Sequence, residues 1–430
     1  MRKFSFLLAL LLLLILSACN VGPINLQATR QAQEAQGTIF PTNTPRATLA
    51  FPTPQPTPLP TRALEAVGER SIEVDGYSVS FQTSECQVSV SGDLEMECGN
   101  LVVPETRGSD DGRMVTLPVV ILRTENYLAV SDPLVYLAGG GGSDALAGLD
   151  YYFSSSADFL YNRDYIFYNQ RGAPGTSPAL FCEGYSEFLR DRYAENISSA
   201  EFDQRHVEFL LDCQQQLLDE GINLAAYNSA ANAADLNDLR RVLGYEQINI
   251  FGSSYGTKLA LTAMREYPDM IRSAILDSVY PQEVDLYTSY PENALSAFET
   301  VFEECAAIPS CASRYPDVAA LFYATVDQLN AAPVEMDFSY GTYVLNGDRF
   351  VFNLTNYFYG GSETKNLPYV IKQTNEAKYS EIVKHLRVSW QVDFLSWGMF
   401  FSMQCNEEIP FSTREQMAAA SQSVPEQLRG

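Results

Sequence analysis

A tight turn, Gly252-Ser253-Ser254-Tyr255-Gly256, separates a continuous apolar run at residues 247–251 from an amphipathic run at residues 257–267. A short continuous apolar run is typical of a strand buried on both faces of a parallel sheet, whereas apolar residues at helical spacing indicate a helix. Glycine at both ends of the turn permits a backbone path that side chains would obstruct. The segment therefore predicts a strand–turn–helix unit with Ser254 at its apex.

The same alternation extends through the middle of the chain. Apolar runs that predict strands lie at residues 99–104, 114–123, 133–137, 165–168, 247–251 and 273–276. Amphipathic stretches at residues 199–220 and 230–243 predict helices between the later strands. This order predicts an α/β fold with a mostly parallel, doubly wound sheet. Residues 284–395 lose the alternation and are rich in helical pattern and aromatics, which predicts an inserted helical cap.

Ser254 is the candidate nucleophile. The turn would project its hydroxyl at the N-terminus of a helix, whose dipole favours a developing anion. Such a serine needs backbone N–H groups directed at the oxyanion, and one is expected from Tyr255. The glycine loop at residues 139–142 is the candidate for the second, with Gly140 and Gly141 as the donor region. The alternative for the turn that carries Ser254 is a purely structural turn. The alternative for the glycine loop is a phosphate-binding loop, although no lysine follows these glycines.

Charge and residue counts exclude several function classes. The 430 residues include 28 basic and 53 acidic side chains, for a formal charge of −25, which disfavours binding to nucleic acid. His206 and His385 are the two histidines and lie far apart in the sequence, so no Cys/His metal cluster is expected. Acyl transfer from a serine needs no metal or cofactor, and none is predicted.

The N-terminus predicts export. Residues 1–18 combine a positive start, an apolar run at residues 4–16 and Leu16-Ser17-Ala18 before Cys19, which resembles a bacterial lipoprotein signal. Lipid on Cys19 would anchor the protein to the outside of a membrane; an ordinary secretory signal is the alternative. Residues 19–62 are rich in proline and threonine, which predicts a disordered tether, with a proline-motif ligand as the alternative.

The remaining cysteines are consistent with an oxidising compartment. Short intervals suggest the pairs Cys86–Cys98 and Cys305–Cys311, with Cys182–Cys213 bridging a helical segment. Connectivity cannot be proved from sequence. This scheme leaves over Cys405, which would then be a free thiol, form an intermolecular bridge, or pair with a cysteine that is missing from the chain.

A series of motifs in fixed order resembles a known family. The series is Cys98-Gly99-x-Leu101-x-Val103-Pro104, the glycine loop, Asn169-Gln170-Arg171-Gly172, Asp235-x-x-x-Leu239-Arg240, the turn at 252–256, Tyr267-Pro268-Asp269, Leu276-Asp277 and Cys405-Asn406-Glu407-Glu408. It is similar to the α/β-hydrolases of the proline iminopeptidase and tripeptidyl aminopeptidase group, over residues 86–415. The resemblance implies an α/β-hydrolase fold and a serine exopeptidase that works through an acyl-enzyme, although some relatives cleave esters or amides.

The chain departs from the family pattern at three places. Asn169 stands where the family usually has an aspartate, and the glycine loop lacks the usual proline. The family also places an acid and then a histidine after the cap, whereas His385 lies in a helical stretch inside the cap and His206 precedes Ser254. We therefore expect the acid and the histidine to be absent from these 430 residues, with the last strands of the core.

On this basis residues 63–283 form the N-terminal part of the core and residues 284–395 the cap. Residues 396–430 then form the cap exit and the start of a truncated C-terminal part. Glu407 and Glu408 match a cap segment that, in relatives, holds the free amino group of the substrate; a solvated acidic pair is the alternative.

The sequence thus predicts an aminopeptidase acting on short peptides. The alternatives are a peptide-binding lipoprotein without catalysis, and an esterase of the same fold.

Overall fold

The computed structural model describes residues 68–429, apart from residues 92–93, 125–129, 155–156, 340 and 387–394. The predicted signal segment, the predicted tether and Cys19 lie outside the described residues. Within them, the predicted α/β-hydrolase fold is confirmed: one large sheet carries helices on its faces.

The described part of the chain contains one eight-stranded sheet and one hairpin. The strands are β1 (Arg70–Val74), β2 (Tyr77–Ser84), β3 (Met96–Pro104), β4 (Met114–Leu122), β5 (Leu134–Leu137), β6 (Tyr165–Tyr168), β7 (Ile248–Ser253), β8 (Ile271–Asp277), β9 (Val334–Phe338) and β10 (Gly341–Leu345). The large sheet has the order β1-β2-β3-β4-β6-β5-β7-β8. Its β6-β5-β7-β8 half is parallel, and the neighbours from β1 through β4 to β6 are antiparallel.

Helices occupy the connections. They are α1 (Leu149–Ser154), α2 (Tyr185–Tyr193), α3 (Ser199–Asp219), α4 (Ser229–Leu243), α5 (Tyr255–Glu266), α6 (Leu286–Ala307), α7 (Pro309–Arg314), α8 (Val318–Ala331), α9 (Gly347–Thr355), α10 (Gly361–Thr364), α11 (Leu367–Asn375), α12 (Ser380–Leu386), α13 (Trp397–Glu407) and α14 (Arg414–Gln422). Single 3-10 turns lie at Ala157–Tyr161, Leu224–Ala226, Pro268–Met270, Asn356–Tyr359, Ile409–Phe411 and Glu426–Leu428.

The parallel strands are buried on both faces, as their continuous apolar sequences predict. All four residues of β5 and of β6 are buried. On one face, helices α4 and α5 cover β7 through Leu239, Leu259 and Ala263. On the other face, Tyr136 and Phe167 pack in a separate apolar cluster. This double cover holds the carboxyl ends of β5 and β7 side by side, where the glycine loop and the turn at residues 252–256 begin.

Strand β8 lies at the end of the sheet order and is more exposed than the strands inside it. Its Ile275 is 40% exposed and pairs in register with Phe251 of β7. The backbone of β8 nevertheless continues the parallel ladder as far as Ser253 and Asp277. The strand therefore still supports the turn that carries Ser254.

Residues 286–386 form a helical layer around a core of their own, built on Phe298, Phe322 and Phe350. The antiparallel pair β9–β10 lies within this region and was not predicted. Its strand β9 alternates half-buried with exposed residues, so it offers no continuous apolar run. Strands β1 and β2 were missed for the same reason.

Three disulfides, Cys86–Cys98, Cys182–Cys213 and Cys305–Cys311, confirm the predicted pairs. Three such bridges in one chain indicate an oxidising, extracytoplasmic environment. Cys405 is disulfide-bonded as well, which excludes the free thiol among the three outcomes expected for it. Sequence spacing suggested only pairs between near neighbours, and it carries no information about a bridge that depends on the fold.

None of the described helices is long and apolar enough to span a membrane.

Candidate active site

The turn at residues 252–256 has the geometry of a nucleophile elbow. Helix α5 begins at Tyr255, and Ser254 before it is exposed at φ 52° and ψ −118°. A serine rarely adopts this conformation, which persists only where the surroundings impose it. A Cβ at Gly256 would collide with the carbonyl of Leu137 in β5, so the helix can approach the sheet this closely only with glycine there. The predicted strand–turn–helix unit is confirmed.

Hydrogen bonds tie the elbow to the end of β8. The amide of Ser254 donates to the carbonyl of Asp277 over 3.0 Å. The Ser254 carbonyl accepts from the hydroxyl of Thr257 over 2.7 Å, and this hydroxyl in turn accepts from the amide of Tyr280, also over 2.7 Å. The strained residue is therefore held by the carbonyl at the end of β8 and, through the Thr257 hydroxyl, by the amide of Tyr280.

The glycine loop lies directly against the elbow. A Cβ at Gly139 would stand 3.1 Å from the Ser254 Cβ, and one at Gly141 would stand 3.6 Å from the Tyr255 Cγ. Gly140 and Gly141 both have positive φ, at 79° and 61°. The structure thus brings together the four residues predicted to act on one carbonyl group. Their roles as nucleophile and oxyanion donors stay predictions.

Asn169, the first departure from the family pattern, supports the same loop. It is buried, and its amide donates to the Asp144 carboxylate over 2.8 Å and to the Pro174 carbonyl over 2.7 Å. Its side-chain oxygen accepts from the amide of Leu146 over 3.1 Å. An asparagine can donate and accept at once, whereas an aspartate cannot donate to a neighbouring carboxylate. The carboxylate in this contact belongs to Asp144, which follows the glycine loop.

Arg171 and Asp235, which belong to the motifs of the resemblance, form a buried structural pair. The Arg171 guanidinium bonds both oxygens of Asp235, each over 2.7 Å, and both residues are fully buried. Arg107 adds a further bond of 2.6 Å to Asp235. The burial places this pair inside the fold, where it holds β6 to α4 rather than facing a substrate.

Glu407 and Glu408 lie at the end of α13 and converge on a residue that the sequence reasoning missed. Lys258, in the second turn of α5, has its Nζ 2.9 Å from Glu407 Oε2 and also bonds Glu408 Oε1. The lysine side chain is 8% exposed, and the two glutamates are 16% and 10% exposed. The signal available in sequence was a lysine among small and apolar residues four positions after the candidate nucleophile. The substrate-binding role of the glutamates stays a prediction.

His206 lies in an aromatic cluster. Its Nε2 is 2.9 Å from the Tyr185 hydroxyl, and the rings of Phe188 and Phe401 stand against it. Burial lowers the pKa of His206 to about 4. This nitrogen is thus engaged by Tyr185, and the expectation that His206 is not the catalytic base stays a prediction. His385 lies in helix α12, as the sequence predicts.

Comparison with known proteins agrees with the fold. Residues 132–343 match a family model described as alpha/beta hydrolase fold. Serine protease Hip1 of Mycobacterium tuberculosis is 25% identical over 243 residues, which are 54% of this chain and 45% of Hip1. Tripeptidyl aminopeptidase of Streptomyces coelicolor is 28% identical over 193 residues, 43% of this chain and 35% of that protein.

The chain therefore matches less than half the length of these relatives. The solved structure of proline iminopeptidase from Mycobacterium smegmatis is 17% identical over 54% of each chain, at a TM-score of 0.30 that supports no further argument. The family match covers the loop, the elbow and the strands that carry them. This chain has the α/β-hydrolase fold, its residues 132–343 match the family model of that fold, and it is similar to serine protease Hip1 and to tripeptidyl aminopeptidase.

Proposed function

We propose that the protein is an extracytoplasmic serine aminopeptidase, anchored by lipid on Cys19, that releases residues from the N-termini of short peptides through an acyl-enzyme. The observation that carries the proposal is the exposed Ser254 at φ 52°, with the glycine loop against its Cβ. The names of the homologous proteins support peptide bonds as the substrate. The three disulfides support an extracytoplasmic location.

In this proposal the Ser254 hydroxyl attacks the carbonyl carbon of the scissile bond. A bond forms from Oγ to that carbon, the carbonyl electrons move to oxygen, and the amide of Tyr255 with the Gly140–Gly141 backbone binds the oxyanion. The serine proton passes to a general base and then to the leaving amine. Water releases the acyl group in a second round. His206 takes no part, because Tyr185 occupies its Nε2.

The Glu407–Glu408 pair supports an amine-binding subsite. Two carboxylates face one lysine in this cluster, which leaves one formal negative charge over. Both carboxylates are largely buried, at 16% and 10% exposed, so a substrate ammonium that neutralises the excess charge would gain strongly from it. A free peptide N-terminus carries such an ammonium group.

Labelling with a fluorophosphonate tests the nucleophile. The full-length protein is expected to react at Ser254, and Ser254→Ala is expected to abolish the label. Ser253→Ala is the matched control, because Ser253 lies in the same turn. Absence of any label that depends on Ser254 would contradict the proposal.

Substrate comparison tests the amine subsite and separates a peptidase from an esterase. We expect an aminoacyl anilide to be cleaved faster than its N-acetyl form, and faster than a short acyl ester. Glu408→Gln should raise KM for the free amine at least tenfold, and the exposed Glu266→Gln should not. Equal cleavage of free and acetylated substrates would contradict the subsite, and preference for the ester would favour an esterase.

A further inference from the structure

The charge of the buried Lys258 side chain is balanced by carboxylates and not by water. Its Nζ contacts both Glu407 and Glu408 and stands 5.3 Å from the centre of the Tyr280 ring. Long cationic side chains are seldom buried to this degree unless they are paired. The lysine belongs to α5 and the glutamates to the end of α13, so the pair joins the elbow helix to a helix some 150 residues further along the chain.

One chain of hydrogen bonds leads from this cluster to Tyr255. Glu407 Oε2 accepts from the Ser229 hydroxyl over 2.7 Å, and its Oε1 accepts from the Ser229 amide. The Ser229 hydroxyl is 3.0 Å from the hydroxyl of Tyr255, which is buried under the glycine loop. The position of the Tyr255 side chain thus depends on where Glu407 stands, and Lys258 fixes Glu407.

A second route leads from the cluster to Ser254 itself. The Tyr280 ring lies over the ammonium of Lys258, a favourable contact between a cation and an aromatic face. The amide of Tyr280 donates to Thr257, whose hydroxyl donates to the Ser254 carbonyl. Lys258 therefore contacts Glu407, which starts the route to Tyr255, and Tyr280, which starts the route to Ser254.

Removing the lysine charge would disturb both routes at once. Glu407 and Glu408 would then face each other as two adjacent carboxylates in a largely buried site, where like charges repel strongly. They would have to separate or take up a proton. Either change alters the acceptor that Glu407 presents to Ser229 and loosens α13 from α4 and α5.

We propose that Lys258 is a positioning residue: with Glu407 and Ser229 it holds the backbone amide of Tyr255 in the orientation that binds the oxyanion. The inference rests on the proposed function, since it assigns a role in the same reaction. Lys258 does not contact the reacting atoms in this scheme. It acts through the hydrogen bonds of Tyr255 and through Tyr280.

The test compares Lys258→Met, Lys258→Arg and Ser229→Ala in the full-length protein. Lys378→Met is the matched control, because Lys378 is exposed and pairs with Glu376 over 2.7 Å.

The measurements are the rate of fluorophosphonate labelling, kcat and KM on an aminoacyl anilide, and the melting temperature. Lys258→Met should lower the labelling rate and kcat by roughly 10- to 100-fold, as expected for a misplaced catalytic group. KM should change as well, because the same glutamates form the proposed amine subsite. Lys258→Arg should recover most of the rate, and Lys378→Met should match the wild type.

The inference is overturned if folded Lys258→Met is labelled at the wild-type rate, or if only its KM changes. If Lys258→Met fails to fold, Ser229→Ala decides, because it cuts the link to Tyr255 and keeps the ion pairs: a wild-type labelling rate then overturns the inference, and a severalfold slower rate supports it. A wild-type protein without label at Ser254 would remove the proposed function and this inference together. Normal labelling in every variant would remove the inference alone.

Discussion

The side-chain amide of Asn169 donates a hydrogen bond of 2.8 Å to the carboxylate of Asp144, and so joins the end of β6 to the loop that follows β5. Asp144 Oδ1 also accepts from the amides of Leu146 and Ala147, over 3.1 and 2.9 Å. The Asp144 carboxylate therefore fixes the backbone that follows the glycine loop, and it requires a hydrogen-bond donor at position 169. Asn169 thus fits its place in this chain, because its amide group supplies that donor.

Asn169→Asp should destabilise the fold by about 2 kcal/mol, because it sets a carboxylate against Asp144 and leaves the Pro174 carbonyl without its donor. Adding Asp144→Asn should recover most of that loss, since the pair regains one donor and one acceptor. Urea unfolding of the two single variants and the double variant measures the coupling. Losses that simply add would show that the two side chains do not act as a pair.

Asp235→Asn should cost about 3–5 kcal/mol of unfolding free energy, because it leaves the buried guanidinium of Arg171 without its counter-charge. The exposed Asp75, which is 3.4 Å from Arg241, is the control, and Asp75→Asn should change stability by less than about 0.5 kcal/mol. Chemical denaturation at pH 7 measures both. Similar small losses in the two variants would refute a structural role for the buried pair.

The same residue predicts a pH dependence. Burial raises the pKa of Asp235, but Arg171 and Arg107 outweigh burial and hold that pKa below its ordinary value. A lowered folded-state pKa stabilises the protein above the unfolded pKa of about 3.9, and this contribution is lost as the pH falls through the folded-state value. The stability difference between the wild type and Asp235→Asn should therefore shrink below about pH 4. A constant difference down to pH 2 would contradict the shift.

His206 predicts a second pH effect, with its window between 6.5 and about 4. Its pKa falls from 6.5 to about 4 on burial, so protons bind the unfolded chain more readily and stability drops as the pH falls through that window, by at most about 3 kcal/mol. Asp203 in the same helix has its pKa raised by burial to about 6, which acts in the opposite direction. The stability of the wild type relative to His206→Phe should therefore decrease between pH 7 and pH 4. An unchanged difference would mean that the imidazole titrates normally.

Gly141 and Gly112 both have positive φ, at 61° and 71°, but only Gly141 is enclosed. A Cβ at Gly141 would collide with Met403 of α13, whereas nothing lies near Gly112. Gly112→Ala should cost only backbone strain, about 1 kcal/mol, with normal labelling of Ser254. Gly141→Ala should also slow labelling at least tenfold, because the loop or the Met403 side chain packed against it must move. Equal labelling rates would place the loop outside the reaction.

The features that sequence predicted are local. The elbow follows from a strand, two glycines and a helix within about twenty residues, and steric exclusion at Gly256 leaves few other backbone paths. The three confirmed disulfides join cysteines 6 to 31 residues apart. Strands β5 and β7 could be predicted from sequence because both of their faces are apolar. Strands β1, β2 and β9 could not be predicted in this way, because they have no continuous buried apolar run.

Sequence alone determined that this chain folds as an α/β hydrolase and that Ser254 stands at its elbow, since both follow from short-range sterics and apolar pattern. Tertiary structure alone decided that Lys258 lies between Glu407 and Glu408, that Asn169 serves Asp144 and that Cys405 is disulfide-bonded. The lysine and its glutamates are some 150 residues apart, and no sequence pattern indicates that they are in contact. Such pairs form because folding removes their charges from water, and a charge removed from water must find its partner among whatever side chains packing brings near.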